Sequence, residues 1–230
     1  MKYLNRFERK ILMAVLLLAF TGGLLTAQSG EAGSANKAAD GLSLETVCSF
    51  LAARPNTSGD FIQTKSLQTN GRKLKSSGKF IICPEGILWK PEKPFPSSLI
   101  LTKTAMVQIG ANGSKSVMSG KDNQIFANIS ETLSSVFSGN AAELKKLFTY
   151  DFTEDKNGLW SLSLSPKDST IASVMKTLVL SGQCNVKEGT AVLDSLEMAE
   201  TSGNSILYEF SNQKYPEVLS DAEKANFIVE

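Results

Sequence analysis

The chain has 230 residues, 42% of them hydrophobic and 20% charged, and its 24 basic and 23 acidic residues give a formal charge of +1. Such a balance leaves no basic stripe that could displace counterions from phosphates, so we expect no nucleic acid partner. The sequence has no histidine, which excludes the Ser-His-Asp and Cys-His catalytic arrangements and the usual nitrogen ligand of zinc.

The N-terminus is typical of a secretory signal peptide. Basic residues precede an apolar run from Ile11 to Phe20, and small residues follow it up to Ala27. The run is too short for a typical transmembrane helix, so we predict a signal peptide over residues 1–27, with Ala32 as the second choice of cleavage site and an uncleaved anchor as the less favoured alternative. No cysteine follows the run at a lipobox position.

The remaining chain is organised as one domain. Residues 28–41 are rich in Ala, Ser and Gly and predict a flexible leader. Residues 42–230 are long enough for a single domain with a sizeable core, in which the C-terminal ~15 residues could be loose. Without residues 1–27 the formal charge becomes −2, because four basic residues and Glu8 are removed.

The mature chain begins with a helix and continues with strands. Leu44, Val47, Cys48 and Leu51 form an apolar stripe that ends at Arg54-Pro55. Segments with alternating polarity, separated by Gly- and Asn-containing turns, predict strands. These are 61–67, 74–83, 87–90, 99–101, 106–109, 160–165, 176–184, 191–198 and 205–210.

Further helices interrupt the strands. Apolar residues at helical spacing predict a longer helix that begins at an Asp122 cap. A second helix, with Leu144, Leu147 and Phe148, is predicted after it. A short third helix is expected after Pro166, capped by Asp168 or Ser169. The fold class is therefore α+β, with a curved, mostly antiparallel sheet that forms an incomplete barrel.

Two kinds of candidate catalytic residue have simpler interpretations. The Ser-x-x-Lys matches at 173–176 and 211–214 lack the companion motifs of lysine-dependent serine enzymes and are expected by chance. The acidic groups Asp151, Glu154 and Asp155, and Glu197 and Glu200, lie beside turn signals, which favours solvated turns over a glycosidase pair. We therefore expect no enzyme.

The three cysteines do not define a metal site or a disulfide framework. An odd number in an exported chain leaves at least one free thiol. A Cys83–Cys184 bridge is conceivable, but small buried apolar residues are an equally good interpretation of Cys48, Cys83 and Cys184. Neither a metal nor another cofactor is expected.

Five widely spaced fragments stand out along the chain: Phe61–Lys65, Ser77–Phe80, Leu88–Pro91, Phe137–Asn140 and Leu162–Lys167. In this order and at roughly these intervals, they resemble the outer-membrane lipoprotein carrier family, LolA. The resemblance implies a half-barrel with a helical lid over its concave face, and a monomer that carries acylated lipoprotein or other lipid cargo across the periplasm. It also implies two partners, an inner-membrane ATP-driven release complex and an outer-membrane acceptor.

With this resemblance, the apolar residues of the strands and the lid become candidates for a lipid-binding cavity. They are Phe80, Ile82, Trp89, Leu99, Leu101, Trp160, Leu162 and Leu164 on strands, and Ile125, Ile129, Leu133 and Phe137 on the lid. The lid, from about Asp122 to Phe148, should be less stable than the sheet.

The sequence departs from the family at one point. Many members carry an arginine before the proline that follows the second strand, whereas this chain has Cys83-Pro84 there. The release mechanism is therefore open, and so is a glycolipid or another amphiphile as cargo. Two other hypotheses remain beside the carrier: a structural or adhesive envelope domain with a filled core, and a serine hydrolase using Ser173 or Ser211.

Overall fold

A computed structural model of the chain describes residues 42–102, 104–119 and 140–228. Within these residues, eleven strands form one sheet in the order β6-β5-β4-β3-β2-β1-β11-β10-β9-β8-β7. The strands are β1 Thr57–Ser66, β2 Lys73–Cys83, β3 Gly86–Lys93, β4 Ser98–Thr102, β5 Ala105–Ile109, β6 Lys115–Ser119, β7 Phe148–Glu154, β8 Leu159–Pro166, β9 Met175–Asn185, β10 Thr190–Glu200 and β11 Ser205–Lys214.

All neighbouring strands in this order are antiparallel, and β1 pairs with β11 in the middle of the sheet. The two edge strands are β6 and β7, so the sheet is open. The predicted α+β fold with a large, open and curved antiparallel sheet is confirmed. The predicted lid residues Ile125, Ile129, Leu133 and Phe137 lie outside the described residues.

The described helices are short and each begins at a polar cap. They are α1 Leu44–Ala52, α2 Ala141–Leu147, α3 Ser169–Ala172 and α4 Asp221–Lys224, followed by a 3-10 turn at Ala225–Phe227. The predicted first helix is confirmed, and Asp168 caps α3 through its side chain. The prediction that Phe148 ends a helix is wrong, because Phe148 is the first residue of β7 and pairs with Pro166.

Alternation along the strands places one set of side chains on an inner face. On β1, Phe61, Gln63 and Lys65 are buried while Ile62 is 46% exposed. The inner face carries two clusters of buried residues. One, which we call the helix-covered cluster, joins β7–β11 to α1, α2 and α3, and the other lies on β1–β5.

The sheet is strongly curved at β3, β2, β1 and β11. Three strand spacings of ~4.8 Å would put β3 and β11 about 14 Å apart in a flat sheet. The ring centroids of Trp89 on β3 and Tyr208 on β11 are nevertheless 5.0 Å apart. Gly78 lies between them on β2, where a Cβ atom would come within 2.0 Å of the Lys90 carbonyl oxygen. The missing side chain therefore allows the backbones of β2 and β3 to approach closely at this point.

The C-terminal segment covers part of the outer face. Leu219 and Phe227 are buried in an outer cluster together with Ile81, Leu88 and Ile100, which point away from the inner face. Ser220 and Glu223 form a reciprocal capping box that starts α4 and positions this segment. None of the helices in the described residues is both long and apolar enough to cross a membrane.

Candidate functional site

The predicted cavity residues on strands fall into the two inner clusters. Phe80, Trp89, Leu99 and Leu101 are buried in the cluster on β1–β5, and Ile82 packs against it. Trp160, Leu162 and Leu164 belong to the helix-covered cluster. All eight therefore lie on the inner face, but in two separate groups, and the assignment of both groups to a lipid cavity stays a prediction.

Aromatic side chains dominate the first group. We call Phe61, Phe80, Trp89, Tyr208 and Phe210 the aromatic cluster. The Trp89 ring lies 5.1 Å from the Phe61 ring and 5.9 Å from the Phe80 ring, measured between centroids. Most of the other contacts are edge-to-face, the geometry that ring quadrupoles favour. Burial raises the pKa of Tyr208, so this phenol stays neutral at any physiological pH.

The helix-covered cluster has the composition of an ordinary core. Leu44, Val47 and Cys48 of α1 and Leu144 of α2 pack against the inner side chains of β8, β9 and β10. Leu164 is completely buried there, and Trp160 is 3% exposed. Helices thus fill this half of the inner face, whereas the rings of the aromatic cluster are buried chiefly against one another.

A fork between β10 and β11 opens beside the aromatic cluster. In the described strands the two pair through Ser195–Ala199 and Ser205–Glu209. A bulge at Asp194 interrupts the pairing of β10 with β9 at the point where the pairing of β10 with β11 ends. A cavity of about 40 Å³ lies at this fork. It is lined by Leu51, Arg54, Thr57, Phe80, Ile82, Ala191, Leu193, Phe210, Gln213 and Tyr215.

Four polar side chains line the fork cavity, those of Arg54, Thr57, Gln213 and Tyr215. The Gln213 Nε2 atom donates to the Leu193 carbonyl oxygen at 2.7 Å, and the Tyr215 hydroxyl donates to Gln213 Oε1 at 3.0 Å. The Arg54 guanidinium stacks on the Tyr215 ring, with its Cζ atom 4.3 Å from the centroid. Burial raises the pKa of Tyr215, an effect that the Arg54 charge opposes and the Asp194 charge reinforces.

A buried ion pair lies at the other end of β1. Lys65 Nζ donates to Glu200 Oε1 at 3.1 Å, and the two side chains are 2% and 7% exposed. Ser202 and Asn204 donate to Glu200 Oε2. The pair ties the β1–β2 hairpin to the β10–β11 hairpin. The interpretation of Glu200 as part of a solvated turn is therefore wrong.

The other acidic groups agree better with turns and exposed surface. Asp155 Oδ1 accepts from the backbone amides of Asn157 and Leu159 and so closes the β7–β8 turn. Glu197 is exposed on β10. In the described part of the chain, no group of three or more Cys, Asp or Glu side chains is placed to hold a metal ion.

The two Ser-x-x-Lys motifs do not assemble a nucleophile and a base. Ser173 ends α3, and its hydroxyl donates to the Thr170 carbonyl oxygen at 2.7 Å. Ser211 pairs with Asp60 in the β1–β11 ladder. Within residues 42–102, 104–119 and 140–228, no hydrogen bond joins Ser173 to Lys176 or Ser211 to its lysine.

The cysteines are free and buried, which confirms the simpler of their two interpretations. Cys83 belongs to the outer cluster and Cys184 to the helix-covered cluster, so the conceivable Cys83–Cys184 bridge is wrong. Burial raises the pKa of Cys48 to about 11 and that of Cys83 to about 11. At neutral pH both are therefore unreactive thiols.

The geometry defines a class of protein, one with an open, curved antiparallel sheet and an apolar inner face that short helices cover in part. Residues 55–223 match the family model for the outer membrane lipoprotein carrier protein LolA. Because the match spans most of the sequence, the chain belongs to the LolA family. No curated protein matches the chain.

Several solved structures are similar at low sequence identity. A DUF1329 family protein from Desulfovibrio piger is 13% identical, with a TM-score of 0.45 over 78% of this chain and 93% of that one. A LolA superfamily protein from Nitrosomonas europaea is 9% identical, with a TM-score of 0.40 over 76% and 93%. A domain from Vibrio parahaemolyticus, described as outer membrane lipoprotein-sorting, is 10% identical, with a TM-score of 0.40 over 80% and 99%.

Proposed function

We propose that the protein is a periplasmic carrier that shields the acyl chains of lipoproteins on the inner face of its sheet and moves them from the inner to the outer membrane. Membership in the LolA family supports this proposal. So does the predicted N-terminal signal peptide, which would export the chain. In this role an inner-membrane ATP-driven complex loads the cargo and an outer-membrane acceptor receives it.

The aromatic cluster is the observation that carries the proposal. Its side chains come from four neighbouring strands and meet on one curved apolar surface. Large rings supply apolar contact area at a small cost in rotamer entropy, so they can line a surface that accepts acyl chains of varying shape. We assign the acyl chains to this cluster, and the helix-covered cluster to the rigid scaffold.

A second candidate is a carrier of the same fold for another lipid or a glycolipid. The observation that favours it is Cys83-Pro84 at the place where many family members carry arginine. Cys83 is buried in the outer cluster, so its side chain lies on the opposite face from the aromatic cluster. The cargo class therefore needs direct identification.

Native mass spectrometry with lipid extraction, on protein purified from its own envelope, tests both candidates. We expect a bound lipoprotein or acyl lipid, lost in Ile82→Asn, which places a polar side chain against the aromatic cluster. Ile62→Asn is the matched control, because Ile62 is 46% exposed on the neighbouring strand. Lipid-free protein that also fails to bind added acylated ligand would contradict the proposal and favour a structural envelope domain.

The two tryptophans can locate the acyl chain. A brominated fatty acid quenches a tryptophan that it contacts. We expect it to quench Trp89 in the variant Trp160→Phe, and to leave Trp160 unquenched in Trp89→Phe, because helices fill the cluster around Trp160. The reverse pattern would assign the chain to the helix-covered cluster.

A further inference from the structure

The fork between β10 and β11 brings a basic side chain close to the aromatic cluster. The first residues of β10 pair with β9, the last residues of β11 pair with β1, and Gln213 bridges the gap to the Leu193 carbonyl. Arg54 follows the end of α1 and lines the cavity at this gap. A basic side chain thus lies where the sheet opens beside an apolar surface.

Arg54 is suited to bind an anion. In the described part of the chain it makes no ion pair, whereas Lys65, Lys79, Lys145 and Lys146 each have a carboxylate partner. The guanidinium lies over the Tyr215 ring, with its Cζ atom 4.3 Å from the centroid, and a guanidinium carries five N–H donors. Guanidinium groups bind carboxylate and phosphate oxygens through charge-assisted, often paired hydrogen bonds.

The fork cavity is large enough for the polar head of a ligand but not for its acyl chain. About 40 Å³ is room for a few water-sized groups and too little for an acyl chain. Phe80 and Phe210 line this cavity and belong to the aromatic cluster, with their ring centroids 5.1 Å apart. A ligand with its polar group at Arg54 would therefore have its chain directed onto the aromatic cluster.

We propose that Arg54, stacked on Tyr215 in the β10–β11 fork, binds the oxyanion of an acylated ligand, a carboxylate or a phosphate next to the acyl chain. This inference rests on the second candidate function, a carrier of another lipid, and narrows its cargo to acidic amphiphiles. Asp194 lies on the bulge of the same fork, and its negative charge opposes the binding.

Fluorescence titration with NBD-labelled dodecanoic acid and its uncharged methyl ester tests the assignment. We expect the wild-type protein to bind the acid at least about tenfold more tightly than the ester, as a charge-assisted hydrogen bond warrants. Arg54→Gln should remove this difference in affinity by weakening the binding of the acid and leaving that of the ester unchanged. Arg72→Gln, at an exposed arginine in the β1–β2 turn, is the matched control and should keep it. Asp194→Asn should bind the acid at least as well as the wild type.

Each result decides between the hypotheses. Equal binding of acid and ester, or unchanged acid binding in Arg54→Gln, would overturn the oxyanion site and leave the carrier function intact. Failure of the wild type to bind either probe would overturn the carrier function itself. Displacement of the acid by millimolar inorganic phosphate alone would show a free-anion site. If Arg54→Gln does not fold, Arg54→Lys replaces it. We then expect intermediate affinity for the acid, because lysine keeps the charge but lacks the planar guanidinium group.

Discussion

The buried Lys65–Glu200 pair allows a sharp test of how the two central hairpins are held together. Lys65→Met removes the cation and leaves a carboxylate that is 7% exposed. Breaking one side of a buried pair costs about 3–5 kcal/mol, which for a domain of this size lowers the melting temperature by about 6–20 °C. The double variant Lys65→Met/Glu200→Gln should recover at least about half of the loss, since Ser202 and Asn204 can still donate to the amide oxygen.

The pH dependence of this loss follows from the pKa of Glu200. Burial raises that pKa, and the hydrogen bonds from Ser202, Asn204 and Lys65 lower it by more, so it lies below its ordinary value. Such a carboxyl stabilises the fold above its unfolded pKa and loses that contribution as the pH falls through its folded pKa. The cost of Lys65→Met should therefore be greatest near neutral pH and shrink below about pH 4.

Thermal unfolding, followed by circular dichroism near neutral pH and below about pH 4, measures this change in the cost of Lys65→Met. Lys79→Met is the control, because it breaks an exposed pair with Asp60 and should leave the melting temperature nearly unchanged. An equal shift for Lys65→Met and Lys79→Met, or a shift for Lys65→Met that does not depend on pH, would refute the reasoning.

Three further predictions concern packing, thiol chemistry and local stability. Gly182→Ala should destabilise the fold by ~2 kcal/mol or more in a urea titration, because its Cβ would lie 1.9 Å from the Val192 carbonyl oxygen. Gly71→Ala is the control: its Cβ has open space and only the positive φ is unfavourable, so it should cost ~1 kcal/mol. Cys48, with its pKa raised to about 11, should resist a thiol-specific disulfide reagent at pH ~8 until the protein is unfolded, and rapid labelling of the native protein would contradict its burial. Amides of α2, a helix of seven residues, should exchange with deuterium faster than those of β8, which is paired on both sides; equal protection would argue against a less stable lid region.

The sequence predicted those strands whose two faces differ in polarity. Trp160, Leu162 and Leu164 alternate with serines, and the structure buries the three apolar residues on one face of β8. Strand β7 was missed although its sequence, FTYDFTE, alternates the aromatic Phe148, Tyr150 and Phe152 with polar residues, because Phe148 was assigned to the helix before it. Only Phe148 is buried on this edge strand, which pairs with β8 alone.

The two polar features of the site depend on pairing between distant segments. Glu200 precedes the same kind of turn signal as Asp155, and only its proximity to Lys65, 135 residues away in the sequence, makes its burial possible. The fork similarly arises from the register of β10 against β9 and of β11 against β1. From the sequence, Arg54 could be interpreted only as the end of a helix before proline. Its stacking partner Tyr215 is distant in the sequence, near the C-terminus of the chain.

The division of the inner face also fits the energetics that a carrier requires. Full burial of a sixteen-carbon chain at about 0.8 kcal/mol per methylene would give roughly 12 kcal/mol, which corresponds to a nanomolar dissociation constant for each chain. A protein that held several chains so completely could not pass them to an acceptor. If acyl chains bind at the aromatic cluster alone, as we propose, the helix-covered half of the inner face adds nothing to their burial. A polar anchor at Arg54 would then supply selectivity for the cargo without adding to the apolar burial that opposes its release.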